Sequence, residues 1–345
     1  MLWQTTGWVL ARNRRGLKLA TKMKERLPQE GDINFADKKK SVYTFEAGVK
    51  ILKLRQEHFE AGKIEQQDAE VEIHTRLPFL LVPTGDWHYG NVYCDIDRLQ
   101  KDLKEIEDRP NTGIVLMGNL LDIPQPQHFD SVVQNPLSPQ EQIHTLHQLI
   151  KHLDRKHKII AAIDNPCHEG HVWRKEGIDV LSTLFEGVRF PIIHNGGIVN
   201  VKFPGAEYKV ALFHQFGPFN SNFNKSHGLQ QMQRLFLGGQ ADIVVGAHHH
   251  VGEALKTWYG EGKVRKPVVY IRCGSYKGTY EPERRDLWIQ LRAGKTGEPG
   301  GESVVLFPRE KAMSAELELP LGLKVFDALT LQEKIKIGQA FTDVE

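Results

Sequence analysis

His248, His249 and His250 close a short apolar run, Ala241–Asp242–Ile243–Val244–Val245–Gly246. Side chains alternate along an extended segment, so His248 and His250 face one way and His249 another. Such a His-x-His pair suits the gripping of one divalent cation. Acids, amides and histidines recur at equivalent places, just past other apolar runs. Asp86 and His88 follow residues 79–84, Asn119 and Asp122 follow 113–118, Asn165, His168 and Glu169 follow 158–163, and His214 ends 209–213. Ligands of open α/β sheets gather beyond the carboxyl ends of strands, so these five strand ends predict one crevice. Mixed Asp, Asn and His donors suit Mn, Fe, Zn or Ni rather than Ca, which prefers oxygen throughout. Their number exceeds the needs of one ion. It fits two metals ~3.5–4 Å apart, an arrangement that clamps a phosphoryl group and activates a water.

The elements needed to position these groups are visible as hydrophobic periodicity. An amphipathic helix is predicted over about 95–107, with Ile96, Leu99, Leu103 and Ile106 on one stripe, and another near 139–153. Alternating with the first three apolar runs, they imply βαβ units and a largely parallel sheet. After Phe190 the elements shorten to strands near 198–203, 209–213, 243–245, 267–271 and 287–291, interrupted by one helix near 229–237. Two sheets stacked face to face with helices outside accommodate both halves. Residues 1–75 read as a basic, mostly helical extension, with 44–67 its clearest helix. Residues 76–310 read as the main domain, and 311–345 as a C-terminal tail or helix.

The chain has 345 residues, 40% of them hydrophobic and 26% charged, the profile of an ordinary globular protein with a full core. No apolar run approaches the ~20 residues needed to span a membrane, and the N-terminal arginines follow rather than precede the short apolar stretches. Cys94, Cys167 and Cys273 are odd in number and widely spaced, which argues against a disulfide framework and for the cytoplasm. The net charge of +2 hides an asymmetry, because residues 1–50 hold eleven Lys/Arg against five Asp/Glu. Arg12, Arg14, Arg15, Lys18, Lys22, Lys24 and Arg26 crowd one segment opposed only by Glu25. That cluster is either a nucleic-acid contact or a solvated helix face.

Taken in order, Asp86-x-His88, Gly118–Asn119-x-x-Asp122, Asn165 with His168–Glu169, His214 and Gly246–Ala247–His248-x-His250 resemble the motifs of calcineurin-like metallophosphoesterases. The match looks closest to compact phosphodiesterases of bacteria and phages, covers about residues 79–280, and leaves 1–75 outside. It implies an α/β fold, a four-layered αββα sandwich of two packed mixed sheets around a two-metal site. It also implies hydrolysis of phosphomonoesters or phosphodiesters without a covalent enzyme intermediate. Carried over by position, Asp86, His88 and His250 would hold the first metal, and Asn165, His214 and His248 the second. Asn119 stands where the family has a bridging aspartate. His168 would assist the leaving oxygen, and Asp122 would orient a ligand or that histidine. Manganese is the metal favoured for such a pair, with Fe, Zn and Ni as alternatives.

Three departures from the family pattern bear on activity. Asn119 brings no charge to offset repulsion between two dications. At an effective dielectric near 20, each unit charge at ~4 Å is worth about 4 kcal/mol. Asn165–Pro166–Cys167–His168 spaces Asn and His two residues wider than usual, so either Asn165 remains the ligand beside a Pro–Cys bulge or Cys167 takes its place as thiolate. Ala247 is inserted before His248. Beyond the metals, Trp87, Tyr89, His171, Trp173 and Arg174 are candidates to face substrate, Arg174 as a fork onto phosphate. Gly274–Ser275–Tyr276–Lys277 is expected at the rim, with Tyr276 available to stack a base.

These readings point to a metal-dependent phosphodiesterase with nucleic acid as the leading substrate class. A phosphomonoesterase acting on a small molecule or phosphoprotein is one alternative, and a binding module disabled at Asn119 is another. If the basic segment contacts nucleic acid, deletion of residues 1–40 weakens DNA or RNA binding and flattens its salt dependence, with hydrolysis of small esters unchanged. Binding isotherms at several salt concentrations check this, and unaltered binding assigns the segment another role.

Overall fold

The structure is a computed structural model that describes residues 45–62, 68–123, 134–164, 179–215, 224–261, 265–278 and 300–342. The chain divides into two compact units, Met1–Ile64 and Glu65–Glu345. The described part of the first unit is helix α1, Phe45–Gly62, close to the expected 44–67. The basic cluster from Arg12 to Arg26 and the strand expected at 287–291 lie outside the described residues.

The second unit contains two six-stranded sheets. In the first, β2 (Phe79–Thr84), β3 (Thr112–Leu116), β4 (Ile159–Asp164) and β5 (Ile192–His194) run parallel, and β11 (Ser303–Leu306) and β12 (Met313–Glu316) extend it antiparallel, in the order β12-β11-β2-β3-β4-β5. The second is mixed, in the order β1-β6-β7-β8-β10-β9. Its strands are β1 (Asp68–Glu72), β6 (Gly197–Lys202), β7 (Glu207–Phe213), β8 (Ile243–Gly246), β9 (Glu253–Tyr259) and β10 (Lys266–Arg272). Residues 68–72 fall in the stretch expected to be mostly helical. Their alternating Asp-Ala-Glu-Val-Glu instead buries Ala69 and half-buries Val71 as an edge strand beside β6. Strands β1, β5, β9, β11 and β12 go beyond those expected from sequence.

The period of two in each strand divides the core into three layers. Leu81, Val115, Met117 and Ile163 of the first sheet meet Val199, Val210, Leu212, Val245 and Ile271 of the second in one apolar cluster, so the sheets pack face to face. On the outer face of the first sheet, Leu80, Val82, Ile114 and Leu116 meet four helices: α2 (Ile96–Asp108), α3 (Pro139–Arg155), α4 (Val180–Leu184) and α6 (Leu319–Thr342). On the outer face of the second, Val244, Val268 and Tyr270 meet Leu229 and Met232 of α5 (His227–Leu235). The result is the expected αββα order of layers. Strands buried on both faces need near-continuous apolar sequence, which is why these runs are conspicuous.

Local sequence sets where the helices begin. Asp95 caps α2 by accepting from the Arg98 amide, and Ser138 and Glu141 form a capping box on α3 with Pro139 in its first turn. Leu99, Leu103 and Ile106 of α2 are then buried, each worth roughly 1.5–3 kcal/mol. No helix among the described residues is long and apolar enough to cross a membrane.

Tyr208 of β7 is fully buried and ties the two sheets together through the turn joining β11 to β12. Its hydroxyl lies 2.8 Å from the carbonyls of Phe307 and Ala312 and accepts from both their amides. Tyr208→Phe is expected to cost about 1–3 kcal/mol, because it leaves buried backbone groups unsatisfied. The shift in urea midpoint at constant m-value measures that cost.

Candidate metal centre

Two loops continue past the parallel strands as if the sheet had not ended. The amides of Asp86, His88 and Tyr89 donate to the carbonyls of Gly118, Asn119 and Leu120, and the Asp122 amide returns to Tyr89. This extended ladder holds Asp86 and His88 beside Asn119 and Asp122. From the second sheet, the Ala247 amide donates to His214 and the Cys273 amide to Gly246, which aligns the ends of β7, β8 and β10. Asp86, His88, Asn119, His248 and His250 all have positive φ, between 49° and 73°, and are five of the eight non-glycine residues of that kind among the described residues. Asp, Asn and His tolerate this left-handed region better than most side chains.

Asp86, His88 and His250 come together. His88 Nε2 lies 3.1 Å from His250 Nε2, and the two nitrogens lie 3.9 and 3.7 Å from Asp86 Oδ1. Two donors held ~2.1 Å from one ion at a tetrahedral angle lie ~3.4 Å apart, so this triangle has the size of a single transition-metal site. All three side chains are buried. His88 Nδ1 is 2.7 Å from Asp122 Oδ1, which places the proton on Nδ1 and turns the Nε2 lone pair toward the triangle. His214 is arranged likewise, with Nδ1 2.6 Å from the Met117 carbonyl, and its ring lies 5.2 Å from that of His248. Neutral imidazoles and one carboxylate make a donor set that fits Mn, Fe, Zn or Ni.

Asp86 is fixed from every side. Its carbonyl accepts from Ser275 Oγ at 2.8 Å and the Tyr276 amide at 3.1 Å. Oδ2 accepts from the His248 amide at 2.6 Å, and Oδ1 from Asn119 Nδ2 at 2.8 Å. Asn119 therefore stands beside Asp86 with an amide in hydrogen-bond contact, where a carboxylate would repel it.

Asp122 is a second hub. Oδ1 faces His88 Nδ1 and Lys277 Nζ, and Oδ2 accepts from Asn91 Nδ2 at 2.7 Å and Asn135 Nδ2 at 3.0 Å. Gln142 of α3, wholly buried, accepts from the Asp122 amide and donates to its carbonyl. The side chain of Gln142 fits only because residue 90 is glycine, with φ +107°; a Cβ there would meet Gln142 Cδ at 2.2 Å. A polar residue one turn before Leu146 on the apolar stripe of α3 was the signal in sequence for this contact. Asn91 and Asn135 carry no such signal.

Several expected contacts are not made. Tyr276 is 3% exposed, packs in the helix-side core and donates its hydroxyl to Asp102, with Arg98 stacked 4.2 Å above its ring, so it offers no surface to a base. Trp87 is fully buried and donates Nε1–H to Thr84 Oγ1, which removes it from any substrate face. Lys277 lies behind the ligands rather than on the rim. Burial, with Asp95 and Asp122 nearby, pushes the Cys94 thiol up to about 12, and burial pushes Cys273 well above its usual value. Asn165, Cys167, His168, Glu169, His171, Trp173 and Arg174 lie outside the described residues.

No family model matches the sequence, and no curated protein matches it. Solved structures similar to it include Vps29 of Entamoeba histolytica complexed with zinc, at 14% identity and TM-score 0.30, covering 69% of this chain and 97% of that one. Vacuolar protein sorting 29 of Cryptosporidium parvum is similar at 15% identity and TM-score 0.33, covering 70% and 97%. A conserved uncharacterized protein of Streptococcus pneumoniae TIGR4, described as a predicted phosphoesterase, is similar at 12% identity and TM-score 0.27, covering 70% and 99%.

The role of Asp122 in aiming His88 is open to measurement. Asp122→Asn keeps an acceptor for Nδ1–H but removes the charge, and is expected to weaken metal affinity about 10- to 100-fold. Competition with a chromophoric chelator reads the change. Undiminished affinity assigns Asp122 to packing alone.

Proposed function

We propose that this chain, an αββα sandwich whose strand-end motifs resemble those of calcineurin-like metallophosphoesterases, is a metal-dependent phosphoesterase whose leading substrate class is the phosphodiester of nucleic acid. The observation that carries the reading is the triangle of Asp86 Oδ1, His88 Nε2 and His250 Nε2, sized for one divalent cation at the end of two packed sheets. A cation there would supply Lewis acidity to a phosphoryl oxygen and make a nearby water more acidic. The chain's own groups do the rest. Asp122 keeps His88 in the tautomer that presents Nε2, the Met117 carbonyl does the same for His214, and the Ser275 and Tyr276 contacts hold Asp86 in place. A second cation would be held by Asn165, His214 and His248, with Asn119 at the bridging position. His168 is assigned to the leaving oxygen. The nucleic-acid preference rests on the basic residues from Arg12 to Arg26 and is independent of the triangle.

Asn119 also supports a second reading, a chain that keeps the fold and binds phosphoesters while hydrolysing them slowly. Its amide oxygen can serve one cation but adds no charge to screen a pair. The experiment compares wild type with Asn119→Asp, measuring metal stoichiometry and hydrolysis of bis-p-nitrophenyl phosphate and single-stranded DNA at one fixed Mn concentration. The aspartate form is expected to hold more metal and to turn over about 10²-fold faster, equivalent to ~3 kcal/mol of transition-state stabilisation. If it holds no more metal and is no faster, residue 119 is not the bridging position. Absence of any metal from both forms after reconstitution with Mn sinks the phosphoesterase reading itself.

A further inference from the structure

Lys277 is 8% exposed, and its ammonium lies 3.1 Å from Asp122 Oδ1, the same oxygen that faces His88 Nδ1 at 2.7 Å. A continuous chain therefore runs from the ammonium through a carboxylate and an imidazole to the nitrogen that faces the triangle. The backbone of this lysine is fixed independently. Its amide donates to Ser275 Oγ, residue 277 forms a β-bridge with Cys94, and the preceding turn is bonded to Asp86. The main chain at residue 277 is therefore held by contacts that do not involve the ammonium.

The position of that charge has a definite consequence. A lone buried aspartate on Nδ1 makes an imidazole more electron-rich and draws a cation to Nε2. An ammonium on the same oxygen offsets that charge, weakens the pull on the Nδ1 proton, and adds a like charge that repels a cation in the buried triangle. All three effects lower affinity. Lys277 thus offsets the charge of Asp122, and residue 119 is an amide, so the carboxylate within the triangle itself is Asp86. We propose that Lys277 is a positioning residue that acts through Asp122 and His88 to weaken metal binding at the Asp86–His88–His250 triangle. This rests on the metal-centre reading above and specifies how that site is regulated.

The test is metal titration of the full chain after stripping with chelator, using zinc and manganese in turn against a competing chromophore. Lys277→Gln keeps a hydrogen-bond donor to Asp122 but removes the charge, and Lys277→Met removes both. Lys277→Arg retains the charge. The glutamine and methionine forms are expected to bind the first ion about tenfold tighter or more, with arginine near wild type. A purely structural lysine predicts the opposite, since a loosened site binds metal less tightly. Melting temperatures in chelator identify any variant that has lost its fold, and the glutamine form then decides. Metal binding by wild type with no tightening in Lys277→Gln overturns this proposal alone. No binding by wild type overturns it together with the metal centre.

Discussion

The burial of one carboxylate organises this molecule. Asp86 is fully withdrawn from solvent, a state that costs several kcal/mol for a charged group unless it is paired and hydrogen-bonded. The fold meets this cost by converging four segments on one residue. Its own strand end supplies the carboxylate, Asn119 and the His248 amide donate to its two oxygens, and the turn at Ser275 and Tyr276 holds its carbonyl. Those segments come from both sheets. The registration of one sheet against the other is thus fixed by polar contacts at the crevice as well as by the apolar layer between them.

Conformation and chemistry are coupled at these strand ends. Positive φ at Asp86, His88, Asn119, His248 and His250 lies outside the preferred region for side chains with a Cβ, at a cost of order 1–3 kcal/mol each in unfavourable cases. The extended ladder between residues 86–89 and 118–120 over-determines the backbone and sustains it there. The side chains that a metal requires are also the types that tolerate the conformation, so the local strain and the donor set have one solution in common. Sheet packing supplies the rigidity on which that solution rests.

Behind the ligands, Asp122 links the crevice to the helical layer. It receives His88 and Lys277 on one oxygen and Asn91 and Asn135 on the other, while Gln142 brackets its backbone from α3. Such a network is worth most when every member is satisfied, because the same low dielectric that strengthens each bond penalises each omission. The protonation pattern of His88, and with it the direction of its lone pair, is decided here rather than at the crevice itself.

The sequence alone determined the order of layers and marked the polar residues at the strand ends. Apolar runs such as residues 79–84 and 243–246 mark buried strands, the stripes of α2 and α3 mark their crossovers, and Asp86, His88, Asn119, His214, His248 and His250 are conspicuous because they interrupt apolar sequence. Local periodicity carries that information. Tertiary structure decided which neighbours those groups have. Nothing near residue 277 in the sequence announces a partner 155 residues away, and the aromatic rings of Trp87 and Tyr276 look equally suited to a core or to a substrate face. The edge strands β1 and β12 are short and half polar, so their pairing comes from the sheets they join rather than from their own pattern. Contacts of that kind depend on how two sheets stack, and stacking is settled by the summed packing of many residues that no local window of sequence contains.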